Sequence, residues 1–165
     1  MRDLRELGLN SGGAPVGVPA PTTSQLAFVE RLIGARLPRE YVEFLNFSNG
    51  GSPETNAVYI DVDGRRELWD INDFFHIAAD SESTQDTEDV VWNHGIFQRY
   101  SNLRSRAILP IAQDGGGDFY CLDLRPEHPG GVVLWIHDEP GHPLVKVADS
   151  FSAFVDALLP YPDDL

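Results

Sequence analysis

The residues from Ile108 to Leu124 read Ile-Leu-Pro-Ile-Ala-Gln-Asp-Gly-Gly-Gly-Asp-Phe-Tyr-Cys-Leu-Asp-Leu, two short apolar runs on either side of three consecutive glycines. The fold is most evident here, because short apolar runs bounded by turn residues are typical of strands in the core of a sheet. A glycine-rich connection brings two such strands side by side. We therefore predict antiparallel strands at residues 107–112 and 118–124.

The strand pattern continues in both directions from this pair. Apolar runs at residues 132–137 and 144–148 follow, each preceded by a segment rich in turn-forming residues. On the N-terminal side, apolar and other side chains alternate over residues 58–62, as in a half-buried strand. Asp63-Gly64 is typical of a tight hairpin turn, and we expect the return strand at residues 67–69.

Helices are predicted near both ends of the chain. Thr22 and Gln25 have the spacing of a capping box and precede a helical apolar pattern that Gly34 can end. The closing helix, residues 150–159, has Ser150 in the N-cap position and stops before Pro160.

Another helix begins at Leu37-Pro38, since proline suits the first helical position. Three- and four-residue steps place four apolar residues on its buried face: Tyr41, Phe44, Leu45 and Phe47. Asn49-Gly50-Gly51 then supplies left-handed backbone positions that end a helix.

Helices at both ends of a series of strands imply an α+β fold, a single domain with a mainly antiparallel sheet flanked by helices. Residues 70–79 fit either a short helix or an extended segment, and residues 90–100 fit a helical turn or two. We place the domain at residues 22–160. Residues 1–21 are predicted to form a flexible N-terminal leader, because glycine, proline, alanine and serine dominate its second half, and residues 161–165 form a tail.

The chain is strongly acidic, with 12 Lys and Arg against 26 Asp and Glu and a formal net charge of −14. Such a surface repels nucleic acid and anionic lipid and attracts basic proteins. A lone cysteine, no signal peptide and no apolar run of membrane-spanning length predict a cytoplasmic protein that does not enter a membrane. Acidity also serves solubility alone, so charge by itself leaves the function open.

The acidic residues are unevenly distributed. Between Arg66 and Arg99 there is neither lysine nor arginine, yet eight acidic residues fall in that interval. Polar residues 81–89 lack apolar anchors and predict an exposed loop. We predict partner contacts, with no direct contact to nucleic acid, at Glu54, Asp61, Asp63, Glu67, Asp70, Asp73, Asp80, Glu82, Asp86, Glu88, Asp89, Asp114 and Asp118.

The order of motifs resembles the SUKH superfamily, and within it the Smi/Knr-like group. Residues 37–45 match its Leu-Pro-x-x-Tyr-x-x-Phe-Leu helix, and Asn49-Gly50-Gly51 matches the end of that helix. Residues 109–111 match its Leu-Pro-Ile strand, and residues 114–118 match its Asp-Gly-Gly-Gly-Asp turn, which leads into Cys-Leu-Asp-Leu at 121–124. The resemblance covers roughly residues 22–160.

The resemblance implies a bacterial immunity protein that binds and neutralises a polymorphic toxin, often a nuclease, or a regulatory or scaffold protein of the same fold. It supplies no catalytic residue and no cofactor. The motif residues have structural roles in this interpretation: Pro38, Tyr41, Phe44, Leu45, Asn49, Gly50, Gly51, Pro110, Gly116, Gly117 and Asp118. The glycines permit backbone conformations closed to other residues, and Cys121 is expected to be a buried core thiol.

A small hydrolase is the alternative from a different class. Asp114 and Asp118 flank the glycine turn and can converge, and His137 can add a base. Turn aspartates more often bind nearby backbone amides. His128, His137 and His142 lack the spacing of a zinc site, so we predict neither a metal nor a cofactor. A phosphate loop is disfavoured because Gly117 leads into a strand.

Overall fold

A computed structural model of the chain describes residues 1–11, 18–78, 87–103, 105–138, 141 and 144–162. Its helices are α1 (Thr23–Ile33), α2 (Arg39–Phe47), α3 (Val90–Tyr100) and α4 (Phe151–Ala157), with a 3-10 helix at Leu4–Leu7. Its strands are β1 (Ala57–Val62), β2 (Arg65–Asp70), β3 (Asp73–Phe74), β4 (Ile108–Gln113), β5 (Phe119–Asp123), β6 (Gly131–Trp135) and β7 (Val145–Ala148). None of the helices in these ranges is long and apolar enough to cross a membrane.

The strands form two antiparallel sheets. β3 to β7 lie side by side in chain order, so each strand pairs with its neighbours in sequence. β1 and β2 form a separate hairpin closed by Asp63 and Gly64, both at positive φ. The prediction of a single α+β domain with a mainly antiparallel sheet flanked by helices is confirmed.

Pro110 lies within β4, an inner strand, although proline cannot donate a ladder hydrogen bond. Two features make room for it. The pairing of β4 with β5 shifts register between Pro110 and Ala112, and β3 is so short that it pairs only with Ala112 and Gln113. Pro110 therefore lies at a bulge, beyond the end of the neighbouring strand.

Helices cover both faces of the larger sheet. Phe119 and Tyr120 follow one another in β5 and therefore point to opposite faces. On one face, Trp135 beside Phe119 makes an edge contact with Phe97 of α3 at 5.3 Å between ring centroids. On the other, Tyr120 contacts Phe154 of α4 at 5.5 Å. Cys121 is buried in the same strand, as predicted.

The N-terminal segment packs on this core. Leu7 is fully buried, and its carbonyl accepts hydrogen bonds from the amides of Glu54 and Thr55 at 2.9 and 3.1 Å. Asn10 and Ser52 are joined through their backbones at 2.8 Å. The expectation of a flexible leader is therefore wrong for residues 1–11, because the leucines of the first turn supply an apolar anchor. Residues 12–17 of that leader lie outside the described part.

Two helices differ in extent from the sequence-based expectation. The turn or two predicted before Tyr100 is the full helix α3, with Asp89 as its N-cap. α2 ends at Phe47 with Ser48 extended, two residues before the positive φ angles of Gly50 and Gly51. The capping box of Thr22 and Gln25 is present as predicted.

Candidate partner-binding surface

The predicted contact residues do not form one continuous patch. Asp80, Glu82 and Asp86 lie outside the described residues. The others lie on the β1–β2 hairpin, beside the N-terminal segment, at the β4–β5 turn, around the end of α2 and, for Asp89, at the start of α3. Each location gives its carboxylates a different role.

The hairpin presents acidic and basic side chains together. Asp61 and Asp63 are exposed, and Glu67 is half-buried opposite Ile60. Arg66 lies opposite Asp61 in the strand register, and its guanidinium lies 5.0 Å from the centre of the Tyr59 ring. The field of this hairpin is therefore mixed, and Tyr59, 45% exposed, is its largest exposed apolar group.

Glu54 lies beside the N-terminal segment. Its side chain is so close to Gly8 that a Cβ at that glycine would come 2.7 Å from Glu54 Oε2. Glu54 is nevertheless exposed. The residue therefore contacts the packed N-terminal segment and remains accessible to solvent.

The carboxylate of Asp114 closes the β4–β5 turn. Asp114 Oδ1 accepts hydrogen bonds from the amides of Gly116 and Asp118, both at 2.8 Å. Asp70 Oδ2 accepts from the amide of Gly115 at 3.0 Å and ties the end of β2 to the same turn. Asp114 is buried, and burial raises its pKa. Its carboxylate thus serves the fold.

Asp118 holds His137. Asp118 Oδ1 lies 2.7 Å from the ring nitrogen Nδ1 and accepts from the His137 amide at 2.8 Å. The second ring nitrogen, Nε2, lies 2.8 Å from Asp138 Oδ1. The side-chain hydrogen bond to Asp118 is the main cause that raises the pKa of His137, and the charges of the neighbouring aspartates add to it. The sequence predicts that His137 can lie beside this turn, and the structure places it there.

Asp114, Asp118 and His137, the residues that the hydrolase hypothesis groups, do lie together in this cluster. Oδ1 of Asp114 and Oδ1 of Asp118 have partners at the turn, and His137 Nε2 contacts Asp138, which follows β6. In the part of the chain that the structure describes, no three His, Cys, Asp or Glu side chains are placed to hold a metal ion. His142 lies outside that part. The hydrogen bonds to Asp114 close the β4–β5 turn.

Asp89, like Asp114, is buried and accepts hydrogen bonds from backbone amides. Its carboxylate accepts from the amide of Trp92 at 2.9 Å as the N-cap of α3, and from the amide of Ala78 at 2.9 Å. The residue is thus a link between α3 and the segment that follows β3. Together with Asp114 and Asp118 it has little surface to offer a partner.

A polar cavity lies at the end of α2, and we name it the Asn-Gly-Gly pocket. Its volume is about 300 Å³, and its lining includes Asn10, Val18, Phe47, Gly51, Asp73 and Glu88. Asn49 braces it from behind: its side chain donates to the carbonyls of Pro19 and Ile77 and accepts from the Ile77 amide. The pocket joins one of the shared motifs to two of the predicted acidic contact residues.

Phe47 is the residue of this pocket that sequence reasoning placed wrongly. We expected it on the buried face of α2, whereas 49% of it is exposed. Six residues after Tyr41, it lies about 120° around the helix from that buried side chain. Strict helical spacing is the signal that could have shown this.

Asp73 is held in place at the pocket wall. Its two carboxylate oxygens accept hydrogen bonds from the Ser52 hydroxyl and the Asn72 amide nitrogen. His76, buried, and Glu88, exposed, line the same cavity. Sequence placed both acidic residues in one contact set but could not show that they share a cavity.

Comparison with known proteins identifies the relatives of the chain. Residues 20–157 match the model of the SMI1 / KNR4 family (SUKH-1). The chain is also 27% identical over 176 residues, 96% of this chain and 84% of the relative, to the SPbeta prophage-derived uncharacterized protein YokK of Bacillus subtilis strain 168. Members of the family are generally non-enzymatic proteins associated with the binding of cognate toxins. The resemblance noted in the motifs is confirmed, and the chain belongs to the SMI1/KNR4 (SUKH-1) family.

Proposed function

We propose that this protein is a cytoplasmic bacterial immunity protein that binds a cognate polymorphic toxin, a nuclease, and covers its basic substrate-binding surface. A nuclease carries positive potential to hold phosphates. An acidic inhibitor competes for that same surface and is drawn to it before contact.

The observation that carries this proposal is the net charge of −14 together with the acidic side chains that remain at the surface. Among the predicted contact residues within the described ranges, those that are exposed or half-buried are Glu54, Asp61, Asp63, Glu67, Asp70, Asp73 and Glu88. Family membership supports the same function, because its members are generally associated with toxin binding.

The test is to co-express the tagged protein with the product of the adjacent gene and to measure binding of the purified pair. We expect a toxin domain to co-purify and its nuclease activity to be lost in the complex. If no toxin domain is encoded nearby and nothing basic is captured, the proposal is wrong and a regulatory role in the same fold takes its place.

The electrostatic part has its own measurement. Affinity should fall steeply between low and physiological salt, since exposed charges are screened over about 8–10 Å. Asp61→Asn with Asp63→Asn should slow association, while Glu127→Gln, an exposed site beyond the predicted contact set, serves as the control. Affinity that is independent of salt would contradict charge-driven binding.

A further inference from the structure

We propose that the Asn-Gly-Gly pocket receives the side chain of a single arginine from the protein partner. This inference rests on the proposed function, because it assumes a basic protein ligand. It adds the position at which that ligand is recognised at short range.

The first argument is the helix that ends at the pocket. The last residues of α2, Asn46 and Phe47, line the cavity together with Ser48. The C-terminal end of a helix carries a partial negative charge and favours cations. The last turn of α2, which the structure describes in full, contains no basic side chain to satisfy that preference.

The second argument is the carboxylate at the wall. Asp73 is oriented by Ser52 and Asn72, each of which donates to one of its oxygens. A carboxylate has about four acceptor positions, so these two bonds leave capacity for the N–H groups of a guanidinium. Among the described residues that line the pocket, none is a lysine or an arginine. Apart from the buried His76, the described lining residues therefore include no side chain that can carry a positive charge.

The third argument is the apolar rim. Phe47 is 49% exposed and Val18 is 39% exposed at this site. Arginine packs its planar guanidinium on an aromatic face and its methylene stem on apolar surface, whereas the ammonium group of lysine is compact and strongly hydrated. The combination of an aromatic wall and a fixed carboxylate thus favours arginine.

The volume of the Asn-Gly-Gly pocket and its hydrogen-bonded floor suit a single side chain as the occupant. A volume of about 300 Å³ is at the lower limit of small-molecule sites. The floor is fixed, since the Gly51 amide and carbonyl both bond to Phe74 of β3 at 3.0 Å. Preorganised sites lose less free energy on binding, so this pocket can act as the anchor point of a larger interface.

The direct test uses N-acetyl-arginine amide as the probe, with N-acetyl-citrulline amide as its uncharged counterpart, in an NMR titration of the full chain. We expect saturable shifts at the amides of Gly50, Gly51 and Ser52 with a dissociation constant on the order of millimolar. Citrulline amide should bind roughly tenfold more weakly, because a charge-assisted bond is lost. Shifts of equal size at Asp61 and Asp63 would indicate general charge attraction and overturn the pocket.

Variants separate the pocket from general acidity. Asp73→Asn should weaken arginine amide binding about tenfold, whereas Asp61→Asn removes the same charge from the hairpin and should leave it unchanged. Phe47→Ala should weaken it several-fold, and because Phe47 is exposed the fold is preserved. Tyr59→Ala, at a comparably exposed aromatic residue, is its control.

The two proposals fail in different ways. If a toxin is captured but Phe47→Ala and Asp73→Asn do not increase its dissociation rate, the pocket is not the anchor and the immunity function remains. If the probe binds at Gly50 and Gly51 but no basic protein is captured, the immunity function fails while the pocket retains its chemical preference.

Discussion

Replacement of Gly50 by alanine tests the construction of the pocket floor. Gly50 has a φ of +82°, and a Cβ there would lie 2.8 Å from the carbonyl oxygen of Phe74 and 2.9 Å from the amide nitrogen of His76. Both are backbone atoms of the segment that contains β3, so no side-chain rotation can relieve the contact. We expect Gly50→Ala to push this segment away from the end of α2.

Two effects should destabilise Gly50→Ala, backbone strain at positive φ and the steric contact with the β3 segment. Gly64→Ala measures the first of them alone. Gly64 has nearly the same φ, +78°, but no atom of the described residues lies within 4 Å of a Cβ placed there. Its alanine variant therefore carries only the left-handed backbone penalty, about 1–2 kcal/mol. Gly50→Ala adds overpacking of about 1–3 kcal/mol, so its total loss should be roughly 2–5 kcal/mol.

Urea denaturation followed by tryptophan fluorescence measures both variants against the unchanged protein. The loss is read from the unfolding midpoint at constant slope, which shows that the same surface is exposed. Equal losses for Gly50→Ala and Gly64→Ala would refute the close approach of Gly50 to Phe74. A difference well above 1 kcal/mol would support it.

Leu7→Ala should lower the free energy of unfolding by about 2–5 kcal/mol, as for other buried leucines, and a loss no larger than that of Val18→Ala would contradict packing of residues 1–11. Asp118→Asn should lower the pKa of His137 in an NMR titration more than Asp138→Asn does. The reason is that Asp118 makes the dominant hydrogen bond and Asp138 is 81% exposed. Equal effects of the two substitutions would contradict the dominant role of Asp118. Burial lowers the pKa of His94, so the unfolded chain binds its proton first and stability should decline as the pH falls through about 6.5. His94→Gln should reduce that decline in stability, whereas an unchanged decline would assign it to other groups. The raised pKa of His137 has the opposite effect on stability. The variant is therefore compared with the unchanged protein at each pH.

The local elements could be predicted because their causes are local. The capping box at Thr22 and Gln25 and the hairpin turn at Asp63-Gly64 each depend on a few neighbouring residues, and the structure contains both. The order of β4 to β7 follows from short connections between consecutive strands, whereas β3 reaches β4 through the longer segment that contains α3. The packing of residues 1–11 was missed because composition averages over a segment, while that packing depends on particular contacts such as the buried Leu7 and the hydrogen bonds to its carbonyl.

The site was predictable in charge but not in geometry. Its acidic residues are evident in the sequence, yet burial depends on tertiary context: Asp89, Asp114 and Asp118 are buried because neighbouring amides need their oxygens. The Asn-Gly-Gly pocket draws its lining from segments as distant as residues 10 and 88. No periodicity or spacing in the chain reports such a convergence.

Residues at the hairpin and at the pocket should affect different rate constants of partner binding. Exposed residues such as Asp61 and Asp63 act through a long-range field, which speeds encounter and is screened by salt. Phe47 acts only after contact, where loss of its ring should speed dissociation and leave association nearly unchanged. Two measurements on one complex, the association rate of the hairpin variants and the dissociation rate of Phe47→Ala, therefore distinguish attraction by net charge from recognition at the pocket. If both sets of variants changed only the association rate, the pocket would be part of the acidic surface and not an anchor.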